Sequence, residues 1–175
     1  HTMTIRRRKI RFIVKELLAQ AKVNGPPVPI VELARTQGLD LRLSLDPDSN
    51  ISGFLFLGGE KPIVGVNMSQ HGNRQRFTVA HELGHFLLHK FLLQELYVDH
   101  SFQVLLRDER SSEGTDEKEQ EANLFAAELL MPIDFLRKHV QVSTRVDIED
   151  DAFLRELAKR YQVSQQAMVF RLTNL

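Results

Sequence analysis

The sequence predicts an α+β fold, with helices at both ends and a small, mainly antiparallel sheet near the middle. Two observations carry this expectation. Apolar residues recur at helical spacing in the first 23 residues and again from about residue 115 to the end. Between them, three short β-rich runs, "LDLRLSL", "ISGFLFLGG" and "KPIVGVN", are separated by the turn residues "PDSN" and "GGEKP".

The elements follow in order. From Ile5 to about Val23, the residues Ile10, Ile13, Val14, Leu17, Leu18 and Ala21 make one apolar helix face, and "NGPPVP" ends it. Pro29 leads into a short helix, "IVELARTQG", closed by Gly38. After the three strands a long helix is expected from Ser69 or Asn73, either of which can cap it, to about Tyr97. "HSFQVLLRDE" reads as an additional strand and "RSSEGTDEKEQ" as a polar loop. "EKEQEANLFAAELLMP" is a strong helix stopped by Pro132, and "IDFLRKHV" opens another. "QVSTRVDIEDD" is a linker, and two helices broken around Gln162 to Ser164 close the chain.

Composition narrows the function. The 175 residues are enough for one core with a small appendage. The formal net charge is zero, which argues against a dedicated nucleic-acid or membrane-surface binder. There is no cysteine, so any metal is held by His, Asp or Glu. No apolar run is long enough to span a bilayer. "RRRKIRFIVKELLAQ" is basic but amphipathic, unlike a signal peptide, and a cytoplasmic location is expected. His1 and Thr2, ahead of Met3, read as a cloning remnant.

The chemistry lies in "FTVAHELGHFLLHKF", Phe77 to Phe91. His81, Glu82 and His85 spell H-E-x-x-H. Residues four apart share a helix face, so both imidazoles can reach one ion. Zn²⁺ accepts imidazole nitrogen and favours a tetrahedral site. Zinc lowers the pKa of a water toward ~7, and Glu82 beside it can take the proton. A chance match, with two solvated histidines, is the plain alternative. The flanks Phe77, Val79, Ala80, Leu83, Phe86, Leu87 and Leu88 weigh against it, because they bury the helix. Buried His and Glu without partners cost several kcal/mol, and a metal removes that cost.

A catalytic zinc needs a third protein ligand. Glu117, Glu119, Glu121 and Glu128 on the acidic helix are the candidates. Glu119 is preferred, because Asn123 lies one turn on and can support a ligand histidine from behind. Glu121 points away from Glu119 and is expected in solvent, and Glu128 reads as a rim charge. His89 adds a turn to the histidine face and is expected to be structural rather than a ligand. His100 and His139 have no such context.

These residues resemble the ImmA/IrrE family of zinc metallopeptidases. The likeness rests on "RQRFTVAHELGHFLLH", Arg74 to His89, and "EQEANLFAAELLMP", Glu119 to Pro132, together with "LLRDERSSEG" between them. It extends from about Ile10 to Pro132. The resemblance implies a zincin-like core, zinc on His81, His85 and Glu119, and Glu82 as general base. Glu121, directly before "AN", remains the fallback third ligand. It also implies a protein substrate of the helix-turn-helix repressor or antitoxin kind, in a stress-response, phage or mobile-element setting.

A peptide substrate is expected to add as a strand along "ISGFLFL" or "KPIVGVN". Tyr97, His100, Arg107 and Tyr161 are the candidate stabilisers of the reaction's oxyanion. The expected organisation is a metallopeptidase domain over 3–140 and a helix-turn-helix-like extension over 151–175. In that tail Ser164 is the expected N-cap of the last helix. Arg155, Lys159, Arg160 and Arg171 against Asp151 and Glu156 give only a weak basic excess, so direct DNA binding is not favoured. Three classes of function stand: a zinc endopeptidase acting on a repressor, a DNA-binding regulator with a structural metal, and a partner-binding module that uses the protease fold without catalysis.

Overall fold

In the computed structural model, which describes residues 4–44, 50–91, 95–100, 115–142 and 150–175, the fold is mixed α+β. Helix α1 (Arg7–Gln20) buries Ile10, Val14 and Leu17, the face its spacing dictates. Helix α2 (Ile30–Thr36) starts behind Pro29, and Gly38 turns the chain out of it with a φ of +93°. That left-handed conformation costs glycine no Cβ strain.

Strands β1 (Asp40–Ser44), β2 (Ile51–Phe56) and β3 (Ile63–Asn67) form where the β-rich runs predict them. A fourth, β4 (Leu96–His100), completes a sheet of order β1-β3-β2-β4. β2 pairs antiparallel with both β3 and β4, while β1 and β3 are parallel. The sheet is therefore mainly antiparallel, as expected.

Both strands expected to offer a free edge are interior. β3 is paired by β1 and β2, and β2 by β3 and β4, so neither can accept an added strand. Among the described residues the outer strands are β1 and β4.

Helix α3 (Gly72–His89) carries the H-E-x-x-H residues and packs on β2, β3, α2 and α4. Its ends differ from expectation. The cap is neither Ser69 nor Asn73 but His71, whose ring accepts a hydrogen bond from the Asn73 N–H. The helix stops at His89 rather than near Tyr97, and Tyr97 lies in β4. Of the additional strand expected at "HSFQVLLRDE", His100 ends β4 and the rest lies outside the described residues.

The second half is helical: α4 (Thr115–Leu130), α5 (Ile133–Val142), α6 (Asp151–Tyr161) and α7 (Gln165–Thr173). α4 begins inside the stretch expected to be loop, and Pro132 separates it from α5. Asp150 caps α6 through the N–H groups of Ala152 and Phe153. Gln162 adopts a left-handed conformation between α6 and α7, and Ser164 caps α7 through the Ala167 N–H. The core joins α1, α3, α4 and the tail, with Phe125, Leu129, Leu130, Leu136 and Tyr161 all buried.

The tail is pinned to α4 by charge. Glu128, expected at the rim, is buried and accepts two hydrogen bonds from Arg171, at 3.2 and 2.9 Å. Arg171 also donates to the Met131 carbonyl, and Arg11 adds a longer contact to Glu128 at 3.3 Å. Removing one partner of such a pair leaves a buried charge uncompensated. Arg171→Ala is expected to lower unfolding free energy by about 3 kcal/mol, read from urea denaturation. Arg171→Met combined with Glu128→Met should recover most of that loss, because no buried charge is then left alone.

Candidate metal centre

The α-helix puts His81 and His85 one turn apart on one face of α3, and that face is turned toward α4. Their rings meet edge to face, with centroids 4.6 Å apart, and both are fully buried. From α4, Glu119 reaches across with one oxygen to each histidine. Its Oε1 lies 2.7 Å from His85 Nε2 and its Oε2 lies 3.2 Å from His81 Nε2. The three ligand atoms all fall within 4.8 Å of one another, a group able to hold a metal ion. The Glu119 side chain is 27% exposed, so the group opens to solvent on that side.

Two imidazole nitrogens and a carboxylate are a suitable donor set for a borderline divalent cation such as Zn²⁺. Electrostatics agree. Burial alone would raise the Glu119 carboxyl, but hydrogen bonding and charge from His81 and His85 outweigh it. The carboxyl is held far below its usual range, and so stays anionic.

Glu82 is fully buried on the same helix, toward β2. A Cβ on Gly53 of β2 would stand 3.8 Å from Glu82 Oε1, and only 2.5 Å from Thr78 Cγ2. Glycine at 53 is what lets α3 lie this close to the strand.

Glycine at 84 does the same toward α4. A Cβ there would meet the Phe125 ring at 2.9 Å and the Phe125 Cβ at 3.1 Å. The second atom is fixed to the α4 backbone, so it cannot swing away. α3 and α4 can approach closely enough for Glu119 to bridge the histidines because residue 84 has no side chain. Alanine would gain up to about 1 kcal/mol in helix propensity and lose more to overpacking. Gly84→Ala is expected to destabilise by about 1–2 kcal/mol net, measured by thermal or urea unfolding. Zinc affinity, measured by competition titration, should fall with it, because the helices are pushed apart at the bridge.

The remaining candidates fall elsewhere. Glu121, expected in solvent, is buried and bound by Arg6 and His89. Burial would raise its carboxyl, yet the bonds from Arg6 and His89 hold it below its usual range. It is thus committed away from the three-residue group, which leaves Glu119 as the carboxylate that meets the histidines. Glu117 is not in that group either. His89 is buried, with Nδ1 3.0 Å from His85 Nδ1 and Nε2 3.1 Å from Glu121 Oε1. Burial pushes its imidazolium down to about 4, although Glu121 pulls the other way.

Among the described residues, the buried Asn123 Oδ1 accepts no hydrogen bond. The contact behind His85, expected of Asn123, is made by His89 instead. The Tyr161 hydroxyl is engaged 2.8 Å from His139 Nδ1, between α5 and α6. The Arg107 position and the side chains of Tyr97 and His100 lie outside the described residues.

Sequence reasoning missed Arg6, and it named Glu121 only as a fallback ligand expected in solvent, not as the buried partner of Arg6 and His89. The fourfold spacing from His85 to His89 was a local signal for their contact. Nothing local links Arg6 to Glu121.

Comparison with known proteins places this arrangement. No curated protein matches the sequence. Among solved structures, a Mycobacterium tuberculosis transcriptional regulator is similar in fold, with a TM-score of 0.63 at 17% sequence identity. The match covers 95% of this chain but 46% of that one, so the chain spans less than half the length of this structural relative. The peptidase M78 family model, described as the IrrE N-terminal-like domain, matches residues 34–173. That match takes in α3, α4 and both tail helices, and the chain belongs to the IrrE N-terminal-like family of M78 peptidases.

Proposed function

We propose that the chain is a zincin-like, zinc-dependent endopeptidase whose substrate is a helix-turn-helix transcriptional repressor or antitoxin. The observation that carries this is the meeting of His81 and His85 with Glu119 beside a buried Glu82, in a chain of a peptidase family. His81, His85 and Glu119 would hold the zinc ion. When bound, zinc supplies Lewis acidity and makes a water more acidic. Glu82 takes the proton from the attacking water and returns it to the leaving amine. Glu82 itself is fully buried, and exclusion of bulk solvent from it strengthens the charge interactions within the site.

The peptide lies along the outer edge of β4. The register supports that edge: Asp99 of β4 is opposite Gly53 of β2, and Gly53 is the strand position beside Glu82. A strand added on β4 would lie two strand spacings, about 10 Å, from the β2 position beside Glu82. In this reading the metallopeptidase domain occupies 3–140, and α6 and α7 form a helix-turn-helix-like extension that docks rather than reads DNA. The only cation on α7 is Arg171, and it is buried against Glu128. A recognition helix without an exposed cation lacks the phosphate contacts that dominate DNA affinity. The similar regulator and the peptidase family support a setting in transcription control, and a cytoplasmic, stress-responsive or mobile-element role fits it.

The test is co-expression with a helix-turn-helix repressor encoded beside this chain. Cleavage by wild type and none by Glu82→Gln supports the proposal. Equal cleavage by both, or stable binding without cleavage by wild type, overturns it.

A further inference from the structure

Behind the proposed zinc ligands runs a chain of contacts that begins on a different element. His85 Nδ1 lies 3.0 Å from His89 Nδ1, and His89 Nε2 lies 3.1 Å from Glu121 Oε1. Glu121 in turn accepts three hydrogen bonds from Arg6: Nη2 to Oε1 and Nε to Oε2, each at 3.0 Å, and the backbone N–H to Oε2 at 3.1 Å. His85, His89 and Glu121 are buried, while the Arg6 side chain is about a third exposed. Arg6 immediately precedes α1 and lies ahead of the region matched by the family.

We infer that Arg6, Glu121 and His89 form a positioning relay that fixes the tautomer and ring orientation of His85 for metal binding. The inference rests on the reading of His81, His85 and Glu119 as ligands.

The directions of the hydrogen bonds follow from the ends of the chain. A neutral imidazole that offers Nε2 to a metal carries its proton on Nδ1. His85 Nδ1–H must therefore donate, and His89 Nδ1 lies 3.0 Å from that atom. His89 Nδ1 must accept, which places its own proton on Nε2. That proton is donated to Glu121, an acceptor-only carboxylate. Glu121 keeps that role because the Arg6 guanidinium grips both of its oxygens with charge-assisted bonds. Each link permits one orientation of the next. With zinc bound, the result is a lone pair on His85 Nε2 available to the ion; without the ion, Nε2 must carry a proton instead, because it lies 2.7 Å from Glu119 Oε1.

A second neutral tautomer is possible for each ring in isolation. It would put a proton on His85 Nε2 and block ligation. Reversing both rings would turn His89 Nε2 into an acceptor facing a carboxylate, two lone pairs at 3.1 Å with no proton between them. Arg6, by holding Glu121 anionic and in place, makes that arrangement unfavourable. Metal-ligating histidines generally gain affinity from such a partner, by about 10- to 100-fold. Here the partner is a second histidine, and its orientation is set from the N-terminal segment.

The experiment is zinc titration against a chromophoric chelator, with ¹⁵N NMR of the histidine rings in the zinc-bound protein. His89→Leu should weaken zinc binding about 10- to 100-fold while the protein remains folded by circular dichroism. His89→Gln should retain most of the affinity, since its amide oxygen can accept from His85 and its NH₂ can donate to Glu121. Arg6→Ala changes a partly exposed residue and tests the far end; because it leaves the buried Glu121 without its guanidinium, its folding is checked by circular dichroism too. It too should weaken zinc binding, by about 10-fold at the low end of the same range. In wild type, the His85 Nδ1 should carry a proton in slow exchange.

Wild-type affinity in both His89→Leu and Arg6→Ala, or a His85 Nδ1 without a proton in the zinc-bound form, overturns the relay alone. If His89→Leu does not fold, Arg6→Ala and the ring NMR still decide. Failure of the wild type to bind zinc overturns the ligand assignment and the relay together.

Discussion

Glu82→Gln is expected to lower the rate of peptide hydrolysis by about 10²–10⁴-fold, with zinc still bound. The substitution keeps the size and shape of the side chain and removes only the ability to hold a proton in transit. Glu82 is not in the group of residues whose ligand atoms converge, so zinc stoichiometry and affinity should be unchanged. The protein should also be no less stable, because a buried carboxylate is the more expensive group to desolvate. The kinetic signature matters. A fall in kcat with KM nearly constant places Glu82 in the transition state rather than in substrate binding. Single-turnover cleavage of the repressor, quantified with zinc content on the same samples, gives both readings. A variant that loses zinc along with activity would assign Glu82 a structural role instead.

The histidine pair and its buried helix were legible because their signals are local. Spacing of four fixes a shared face, and a run of large apolar neighbours fixes burial. Glu119 was legible on thinner grounds: it was preferred among four glutamates through Asn123 one turn on, which does not make the expected contact, and the family resemblance points to it with Glu121 as fallback. The end of α3 was not legible. The apolar pattern continues through Phe91 and beyond, with no glycine or proline to mark a stop, yet β4 begins at Leu96. A helix pattern and a half-buried strand pattern overlap in so short a stretch, and the strand forms because β2 has an open side to pair with.

Pairing order is equally non-local. β1 joins β3 rather than β2, which makes β2 and β3 interior and leaves β4 as the edge proposed for docking. The buried charges were misjudged for one shared reason. Glu121 and Glu128 look like solvent-facing residues on an acidic helix, and only tertiary packing brings Arg6, Arg11 and Arg171 to them. A carboxylate with a guanidinium partner can be buried, and no spacing rule within α4 announces a partner more than a hundred residues earlier in the chain, as Arg6 is to Glu121.

Glu119→Gln is the variant that should separate ligand from scaffold most sharply. It removes the carboxylate that meets both histidines and leaves an amide of the same shape. Loss of a direct ligand should cost at least the roughly 100-fold seen at the upper end for residues that only support one. Ligand binding stabilises the folded state in proportion to the logarithm of affinity. Each 100-fold loss therefore removes about 2.7 kcal/mol of zinc-dependent stabilisation at a fixed excess of zinc. Without zinc, Glu119→Gln should unfold close to wild type, because the residue is partly exposed and the amide can still be solvated.

Glu121→Gln should behave differently. It breaks the buried contacts to Arg6 and His89, so a loss of up to about 3 kcal/mol should appear with or without zinc, and the relay adds a zinc affinity weaker by about 10-fold. Urea denaturation of both variants, with zinc and with chelator, gives four numbers that distinguish the two glutamates. If the zinc-dependent increment disappears in Glu121→Gln and survives in Glu119→Gln, the third ligand is Glu121. Glu119 would then be a surface-side partner of the histidines. The distances favour the opposite result, since both oxygens of Glu119 already lie against the two Nε2 atoms that a metal would share.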